Sequence, residues 1–460
     1  MLSGHHFSSE DTIVAPATAP GTGAIALIRI SGKDAFTITN RVFYGKDLLS
    51  QPTHTIHFGT IRDNGHIVDE VLVSIFKGPK SFTKEDVIEI SCHGSDYIVN
   101  RIIKLLIQKG ARFAAPGEFT KRAFMHGKFD LAQAEAVADL IAADSASSHE
   151  LALSQMRGGF SKEIKKLREE LIHFASMIEL ELDFGEEDVE FADRDDLKKL
   201  IYSLLSVINP LIESFDLGNV IKNGVPTVIA GKPNAGKSTL LNTLLNEEKA
   251  IVSDVPGTTR DFIEDEITIE GVNFRFIDTA GLRETTDKVE AIGVQRTREK
   301  MSSASLILYL FDAAETDDHE LGEQRNYLKE LNIPYLLIGN KSDRLSEEDK
   351  ELYSAQRDVL LISAEKKENI DLLKKKVLEL VNLKKVTAAN VVVSNVRHYD
   401  NLVKTRDALA QVLEGLDSNI TGDFLALDIR NALHSLGEIT GEITTDDLLA
   451  NIFSKFCIGK

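Results

Sequence analysis

The sequence contains no tryptophan and only two cysteines, Cys92 and Cys457, among its 460 residues. Two cysteines so far apart do not form a disulfide framework, so we expect a protein of the reducing cytoplasm. Long hydrophobic runs are also missing, because the longest, such as SLILYLF at 305–311, have the length of a strand and not the ~20 residues of a membrane span. The first residues lack the apolar core of a secretory signal, and we expect no membrane association.

Positively charged residues are relatively few, since the chain has 53 Lys and Arg residues against 72 Asp and Glu residues, and its net charge is −19 at pH 7. A protein that coats nucleic acid along its whole surface would be basic, so that class is excluded, whereas a local basic patch is not. At ~150 residues per domain, the length predicts about three structural units.

Hydrophobic periodicity changes along the chain and predicts its organisation. Residues 1–126 mix strand-like runs with a helix over 95–110 that Gly110 would end, and residues 127–220 are helical. Residues 221–383 alternate short apolar strands with amphipathic helices, as in a mainly parallel sheet, and residues 384–460 are helical again. The economical interpretation is a mixed α+β N-terminal domain and a helical-bundle domain into which an α/β domain is inserted.

A phosphate-binding loop is indicated by GKPNAGKS at 231–238, which follows a strand-like run and precedes a helical one. Backbone N–H groups at the start of such a helix attract phosphate oxygens. Lys237 is expected to neutralise the β- and γ-phosphates, and Ser238 to supply an oxygen to Mg²⁺. The predicted nucleotide-binding residues of this loop are Asn234, Ala235, Gly236, Lys237, Ser238 and Thr239.

Three further segments in the same order indicate guanine. In FIDTAG, Asp278 is expected near the Mg²⁺ shell and the N–H of Gly281 near the γ-phosphate, with Thr279 and Ala280 between them. In NKSD, which begins at Asn340, the Asp343 carboxylate can accept the two N–H donors of guanine, and the stem of Lys341 would pack over the ring. LISA places Ser363 and Ala364 at the base oxygen. The α/β domain is therefore predicted to be a Ras-like P-loop GTPase.

One departure from common switch GTPases concerns hydrolysis. Leu282 follows the D-x-x-G motif where a water-orienting glutamine is usual, and leucine cannot form a hydrogen bond. Thr259, in GTTRD at 257–261, could reach Mg²⁺, and the amide oxygen of Asn234 with nearby loop carbonyls could hold a monovalent cation. A cation there would do the electrostatic work of an arginine finger.

These motifs, together with segments along nearly the whole chain, resemble the family of tRNA modification GTPases called MnmE or TrmE. The segments are DTIVAPATAPGTGAIALIRISG, SFTKEDVIEISCHG, PGEFTKRAFMHGKFDLAQAEAVADLI and EITGEITTDDLLANIFSKFCIGK. The resemblance implies a potassium-activated GTP hydrolase that modifies C5 of the wobble uridine of tRNAs to carboxymethylaminomethyl- or aminomethyl-uridine. It also implies a one-carbon unit from 5,10-methylene-tetrahydrofolate, and a homodimer formed through a folate-binding N-terminal domain over 1–126. An FAD-dependent partner of the MnmG or GidA type would complete an α2β2-type complex.

The resemblance also assigns roles to particular residues. Potassium ligands would be Asn234, Ser253, Val255 and Thr258, of which Ser253 and Thr258 would also contact GTP. Magnesium would be held by Ser238 and Thr259, and Glu290 would organise the water in place of the missing glutamine. A formyl-tetrahydrofolate would be bound by Arg29, Glu89, Lys128 and Lys460.

Two alternatives stay open at this point. Cys457 lies beside the folate site under the resemblance, and it is either a covalent participant in the modification or a group that shapes the pocket. The protein could instead be a GTP-dependent switch in ribosome assembly. Such a switch would be expected to carry a basic RNA-binding module, and the flanks of the α/β domain are acidic, so the enzyme is favoured.

Overall fold

A computed structural model describes residues 11–183, 194–248, 265–277, 301, 304–356, 358–381, 391–418, 420 and 422–459. They belong to two compact units. Unit 1 comprises Met1–Ala138, Gln155–Ile201 and Asp407–Lys460, and unit 2 comprises Asp139–Ser154 and Tyr202–Arg406. The four domain ranges expected from the sequence, 1–126, 127–220, 221–383 and 384–460, remain a prediction.

Unit 1 contains a mainly antiparallel sheet of seven strands. In chain order these are β1 Ile13–Pro16, β2 Ile25–Ser31, β3 Phe43–Tyr44, β4 Thr55–Asp63, β5 His66–Phe76, β6 Val87–His93 and β7 Arg112–Phe113. The spatial order is β3-β4-β5-β6-β2-β1-β7, and β1 with β7 is the parallel pair. Alternate residues of β6, such as Ile88 and Ile90, are buried in the core, whereas Glu89 faces the other side of the sheet.

The described residues also form helices. They are α1 Ala35–Asn40, α2 Asp96–Gln108, α3 Glu118–Met125, α4 Leu131–Ala142, α5 Ala146–Met156, α6 Gly159–Asp183, α7 Arg194–Glu213, α8 Phe215–Asn223, α9 Lys237–Glu248, α10 Asp318–Glu330, α11 Glu347–Ser354, α12 Ile370–Val381, α13 Val396–Asp417, α14 Gly422–Thr440 and α15 Asp446–Ser454. The predicted helix over 95–110 is confirmed as α2, and Gly110 follows it with φ +116°. Ile102 and Leu106 of α2 pack into the core on one face of the unit 1 sheet.

Unit 2 contains the predicted α/β sheet. Its strands are β8 Val225–Ala230, β9 Asp265–Ile269, β10 Val272–Phe276, β11 Leu306–Asp312, β12 Tyr335–Asn340 and β13 Val359–Leu361, in the spatial order β13-β12-β11-β8-β10-β9. All described pairs except β9 with β10 are parallel. All seven residues of β11 are buried, which explains why the first six, LILYLF, are continuously apolar. The predicted fold class, a mixed α+β domain and a helical domain with a P-loop α/β domain, is confirmed.

One stretch of the described chain, Arg194–Asn223, is long and apolar enough by length and composition to cross a membrane, with a mean hydropathy of 1.3 over an 18-residue window of which 22% is buried. Leu197, Ile201, Leu204 and Ile208 in this stretch are buried. Their spacing of three and four residues is that of one face of an amphipathic helix in a protein core. The stretch is therefore weak evidence for a membrane span, and the expectation of no membrane association stays a prediction.

Candidate functional site

The phosphate loop follows the central strand of the unit 2 sheet. β8 lies between β11 and β10, so the connections leave it toward both sides, and ligands of α/β sheets bind at such a point. Residues 231–236 join the carboxyl end of β8 to the start of α9. Asn234 and Gly236 adopt φ of 61° and 97°. A Cβ on Gly231 would lie 1.9 Å from the carbonyl oxygen of Leu310, so only glycine fits there.

The Lys237 side chain curves back over this loop. Its Nζ donates to the carbonyl oxygens of Gly231 at 2.8 Å and Lys232 at 2.7 Å. An ammonium has three donors, so one remains for a ligand. Burial lowers the pKa of Lys237 from its ordinary value. The positive charge is thus held at the N-terminus of α9, where the helix dipole also favours an anion.

Asn340, the last residue of β12, joins the phosphate loop to the loop expected to contact the base. Its Nδ2 donates to the carbonyl oxygen of Ala235 at 2.8 Å, and its Oδ1 accepts from the backbone N–H of Ala364 at 3.0 Å. The residue is 3% exposed. On the other side of the loop, Thr243 of α9 donates to the carbonyl oxygen of Ala364 at 3.0 Å. Because the amide is buried and both its ends are bonded, the two loops are fixed to each other.

Asp343 is exposed beside these loops with its carboxylate oriented by Ser363. The Ser363 hydroxyl donates to Asp343 Oδ1 at 2.7 Å, and this hydrogen bond holds the pKa of the Asp343 carboxyl below its ordinary value. The carboxylate is therefore ionised near neutral pH and can accept N–H donors from a ligand. The structure thus brings Asn340, Asp343, Ser363 and Ala364 together, as the sequence predicted.

The Lys341 side chain has a partner that the sequence did not suggest. Lys341 adopts φ 64°, and its Nζ lies 2.6 Å from Oδ2 of Asp312, the last residue of β11. The side chain of Asp312 is 9% exposed, so this is a largely buried ion pair that restricts the lysine stem. The signal available in the sequence was an acidic residue directly after the apolar run LILYLF.

The other residues predicted to bind the nucleotide, the metal ions or folate include some that the structure describes and some that lie outside the described ranges. Ser238 and Thr239 lie in the first turn of α9, next to Lys237. Several predicted ligands lie outside the described residues: Ser253, Val255, Thr258, Thr259, Asp278, Thr279, Ala280, Gly281, Glu290 and Lys460.

Three of the four residues predicted to bind folate, Arg29, Glu89 and Lys128, lie close together in unit 1. Arg29 and Glu89 are directly opposite each other on β2 and β6, and Arg29 Nε donates to Glu89 Oε1 at 2.9 Å. Arg29 Nη1 donates to the carbonyl oxygen of Gly459 at 3.2 Å. The Phe82 ring centroid lies 5.3 Å from the Arg29 guanidinium carbon and 5.1 Å from Lys128 Nζ. Phe82 was not predicted, although it lies inside the quoted segment SFTKED.

The segment that contains Cys457 lies against the N-terminal part of unit 1. The N–H of Gly117 donates to the carbonyl oxygen of Cys457 at 3.3 Å. Gly459 adopts φ 93°, and a Cβ there would lie 2.0 Å from the carbonyl oxygen of Pro16. The Cys457 side chain is exposed, whereas Cys92 is buried, and burial raises the pKa of the Cys92 thiol to about 11. Of the two cysteines, only Cys457 is thus accessible to a ligand.

Comparison with known proteins assigns the chain to a family. Residues 12–128 match the family described as the N-terminus of the GTP-binding protein TrmE. Residues 131–457 match the family described as the MnmE helical domain. The chain belongs to the MnmE family. The family resemblance noted in the sequence is thereby confirmed.

Relatives of high identity agree with the MnmE assignment. The tRNA modification GTPase MnmE of Cytophaga hutchinsonii is 62% identical over 450 residues, which cover 98% of each chain. The protein of the same name from Flavobacterium johnsoniae is 54% identical over 98% of this chain and all of its own. That from Bacteroides thetaiotaomicron is 51% identical with the same coverage.

Proposed function

We propose that the protein is a GTP hydrolase that acts in tRNA modification. The main support for a GTP site is the Asn340 side chain, which binds the phosphate loop at Ala235 and the loop expected to contact the base at Ala364. The ionised Asp343 carboxylate lies beside these loops. Asp343 would select guanine through its two N–H donors, and Lys237 with the N-terminus of α9 would stabilise charge on the phosphates. Membership of the MnmE family supports tRNA as the molecule that is modified. The test is hydrolysis of GTP and ATP by the purified protein, and equal use of both nucleotides would contradict the guanine assignment.

We also propose activation by potassium and a requirement for magnesium. Support comes from Leu282, which cannot orient water, and from Asn234, whose amide belongs to the phosphate loop. Ser238 and Thr259 would hold Mg²⁺. Asn234, Ser253, Val255 and Thr258 would hold K⁺, which would supply positive charge beside the γ-phosphate. The discriminating measurement is the hydrolysis rate in K⁺ against Na⁺ at equal ionic strength, and equal rates would remove the potassium role.

Glu290 is proposed to organise the hydrolytic water. Glu290→Ala should nearly abolish turnover while the affinity for GTP stays close to that of the wild type. A large loss of GTP binding would instead indicate a structural role.

A tetrahydrofolate is proposed as the ligand of unit 1. Support comes from the Glu89 carboxylate, which can accept donors from a pterin edge, and from Arg29 and Lys128, whose charges suit a glutamate tail. Lys460 would be a further ligand. The folate would supply a one-carbon unit, as 5,10-methylene-tetrahydrofolate, and 5-formyl-tetrahydrofolate is the stable probe. Titration with this probe should detect binding that Glu89→Ala weakens.

A homodimer through unit 1 is proposed from one face of its sheet. Ile56 and Phe58 of β4, Leu72 of β5 and Ile25 of β2 are exposed, three of them by 65% or more of their surface. Phe58 and Leu72 are cross-strand partners. An exposed sheet face is normally polar, and a contiguous apolar one is typical of an interface. By the cross-strand register, Arg29 and Glu89 lie on this same face of the sheet.

The reaction partners are proposed from the family. In the cytoplasm, this protein would join an FAD-dependent protein of the MnmG type in an α2β2-type complex, and the product would be carboxymethylaminomethyl- or aminomethyl-uridine at the tRNA wobble position. Mass analysis of wobble uridines in a deletion strain tests this, and unchanged nucleosides would contradict it.

A further inference from the structure

An open cleft of about 560 Å³ lies next to the proposed folate site. Its walls include the aromatic rings of Phe76 and Phe82 and three lysines, Lys80, Lys84 and Lys128. This volume falls within the range of cavities that bind small molecules. None of the described lining residues carries a carboxylate. The cleft is therefore a positively charged, partly aromatic surface in a protein whose net charge is −19.

Backbone carbonyls, and not acidic side chains, hold two of these lysines. Lys84 Nζ donates to the carbonyl oxygens of His126 at 3.0 Å and Gly127 at 2.8 Å. Lys128 Nζ donates to the carbonyl oxygen of Ser81 at 2.8 Å. A carbonyl orients an ammonium without neutralising it, and each of these ammoniums keeps at least one donor.

Lys80 is different, because it is exposed and its ammonium makes no hydrogen bond or ion pair with any described residue. It can move to meet a ligand. The lysines and Arg29 also repel one another: burial, then Lys84 and Arg29, lower the pKa of Lys128. An anion in the cleft would relieve this repulsion.

Phe82 connects the cleft to the proposed folate site. Its ring contacts the Arg29 guanidinium, which binds Glu89, and on the cleft side it contacts Lys128. A ligand with its pterin at Glu89 that passes Phe82 would enter the cleft with its opposite end. In a folate, that end is the aminobenzoyl-glutamate tail.

We propose that this cleft binds the γ-linked polyglutamate tail of a tetrahydrofolate, with Lys128, which contacts Phe82, at the first α-carboxylate and with Lys84 and Lys80 pairing with α-carboxylates of the added glutamates. The inference rests on the proposed folate function and names the form of the coenzyme that the protein prefers. Each added glutamate brings one carboxylate, and the ammoniums of the cleft supply charges of opposite sign.

The experiment compares the affinities of the full-length protein for 5-formyl-tetrahydrofolate with one and with five glutamates, by calorimetry. We expect the pentaglutamate to bind about tenfold more tightly, since exposed ion pairs contribute up to about fivefold each. Lys80→Gln should reduce that ratio about threefold and leave monoglutamate binding unchanged, and Lys80→Arg should restore it. Lys104→Gln, on the exposed surface of α2, is the matched control and should keep the full ratio. The ratio should fall as salt is raised, because exposed ion pairs are screened.

Each other outcome identifies what fails. Equal affinities for the two ligands would overturn the cleft assignment and leave the folate function standing. Absence of binding by the monoglutamate would overturn the folate function, and the cleft assignment with it. Weakened tRNA binding by Lys80→Gln with an unchanged ligand ratio would show that the cleft contacts nucleic acid, and this too would overturn the proposal.

Discussion

The Asn340 side-chain nitrogen lies 2.8 Å from the carbonyl oxygen of Ala235, across 105 positions of sequence. The same amide accepts from Ala364 through its oxygen. One buried side chain therefore sets the spacing between the loop expected to bind phosphates and the loop expected to bind the base. Nucleotide affinity should depend on this amide even where it does not contact the nucleotide itself.

Asn340→Ala should weaken binding of both GTP and GDP about tenfold or more. The substitution removes two hydrogen bonds and leaves a buried carbonyl and N–H without a partner, which costs about 1–3 kcal/mol for each such group. Asn326→Ala, an exposed position on α10, is the control. Titration with a fluorescent nucleotide measures the effect, and wild-type affinity in Asn340→Ala would contradict the coupling of the loops.

Gly236→Ala should abolish nucleotide binding because the added Cβ would lie 2.2 Å from Asn340 Nδ2, at a φ of 97°. Gly322→Ala adds the same methyl group within α10, where no atom lies within 4 Å. The control should keep its affinity and raise the thermal midpoint, since alanine stabilises a helix interior by about 0.5–1 kcal/mol relative to glycine. Equal nucleotide affinities in the two variants would show that the glycine is not required.

Phe58→Asp should convert a dimer into a monomer. A charge at the centre of the exposed apolar face would be desolvated without a partner on association. Tyr97→Asp removes an equally large exposed side chain from α2, away from that face, and should leave the dimer intact. Sedimentation or light scattering distinguishes the two states, and a dimeric Phe58→Asp protein would place the interface elsewhere.

Gly459→Ala should weaken binding of 5-formyl-tetrahydrofolate by about tenfold or more and leave GTP hydrolysis unchanged. The added Cβ would clash with Pro16, so the segment from Cys457 must move away from Arg29. Gly65→Ala has a similar φ of 88° with no atom within 4 Å, and it isolates the cost of the backbone conformation. If Gly459→Ala and Gly65→Ala lose affinity for the folate equally, the clash with Pro16 is not the cause of the loss.

Cys457→Ser should lose tRNA modification and keep GTP hydrolysis. Serine nearly preserves the shape of the exposed side chain but is a far weaker nucleophile than a thiolate. The readout is wobble-uridine composition in cells that carry the variant as the only copy. Full modification would exclude a covalent role and leave the cysteine as a group that shapes the pocket.

The sequence predicted those parts of the protein whose signals are local. The phosphate loop has a fixed spacing of glycines and lysine between a strand and a helix, and α2 has a regular apolar period ended by Gly110. The same holds for β11, whose six consecutive apolar or aromatic residues at 306–311 are all buried.

Contacts between distant segments could not be predicted in this way. The pairing of Lys341 with Asp312 depends on β11 and β12 being neighbours, and the role of Phe82 depends on Arg29 and Lys128 converging on it. The exposed apolar face follows from the cross-strand register, which no single strand reveals. The resemblance supplied Arg29, Glu89 and Lys128 but gave no reason for their proximity.

The backbone of Cys457 and Gly459 lies against Gly117 and Pro16, so the last residues of unit 1 contact its N-terminal part. The segments of the two units alternate along the chain, and every residue of unit 2 precedes Asp407. During vectorial synthesis, unit 2 can therefore reach its native state while the first strands of unit 1 still lack the segments that complete them. On this order the proposed nucleotide site would be complete first, and the proposed folate pocket would close only after residues 407–460 have also been translated.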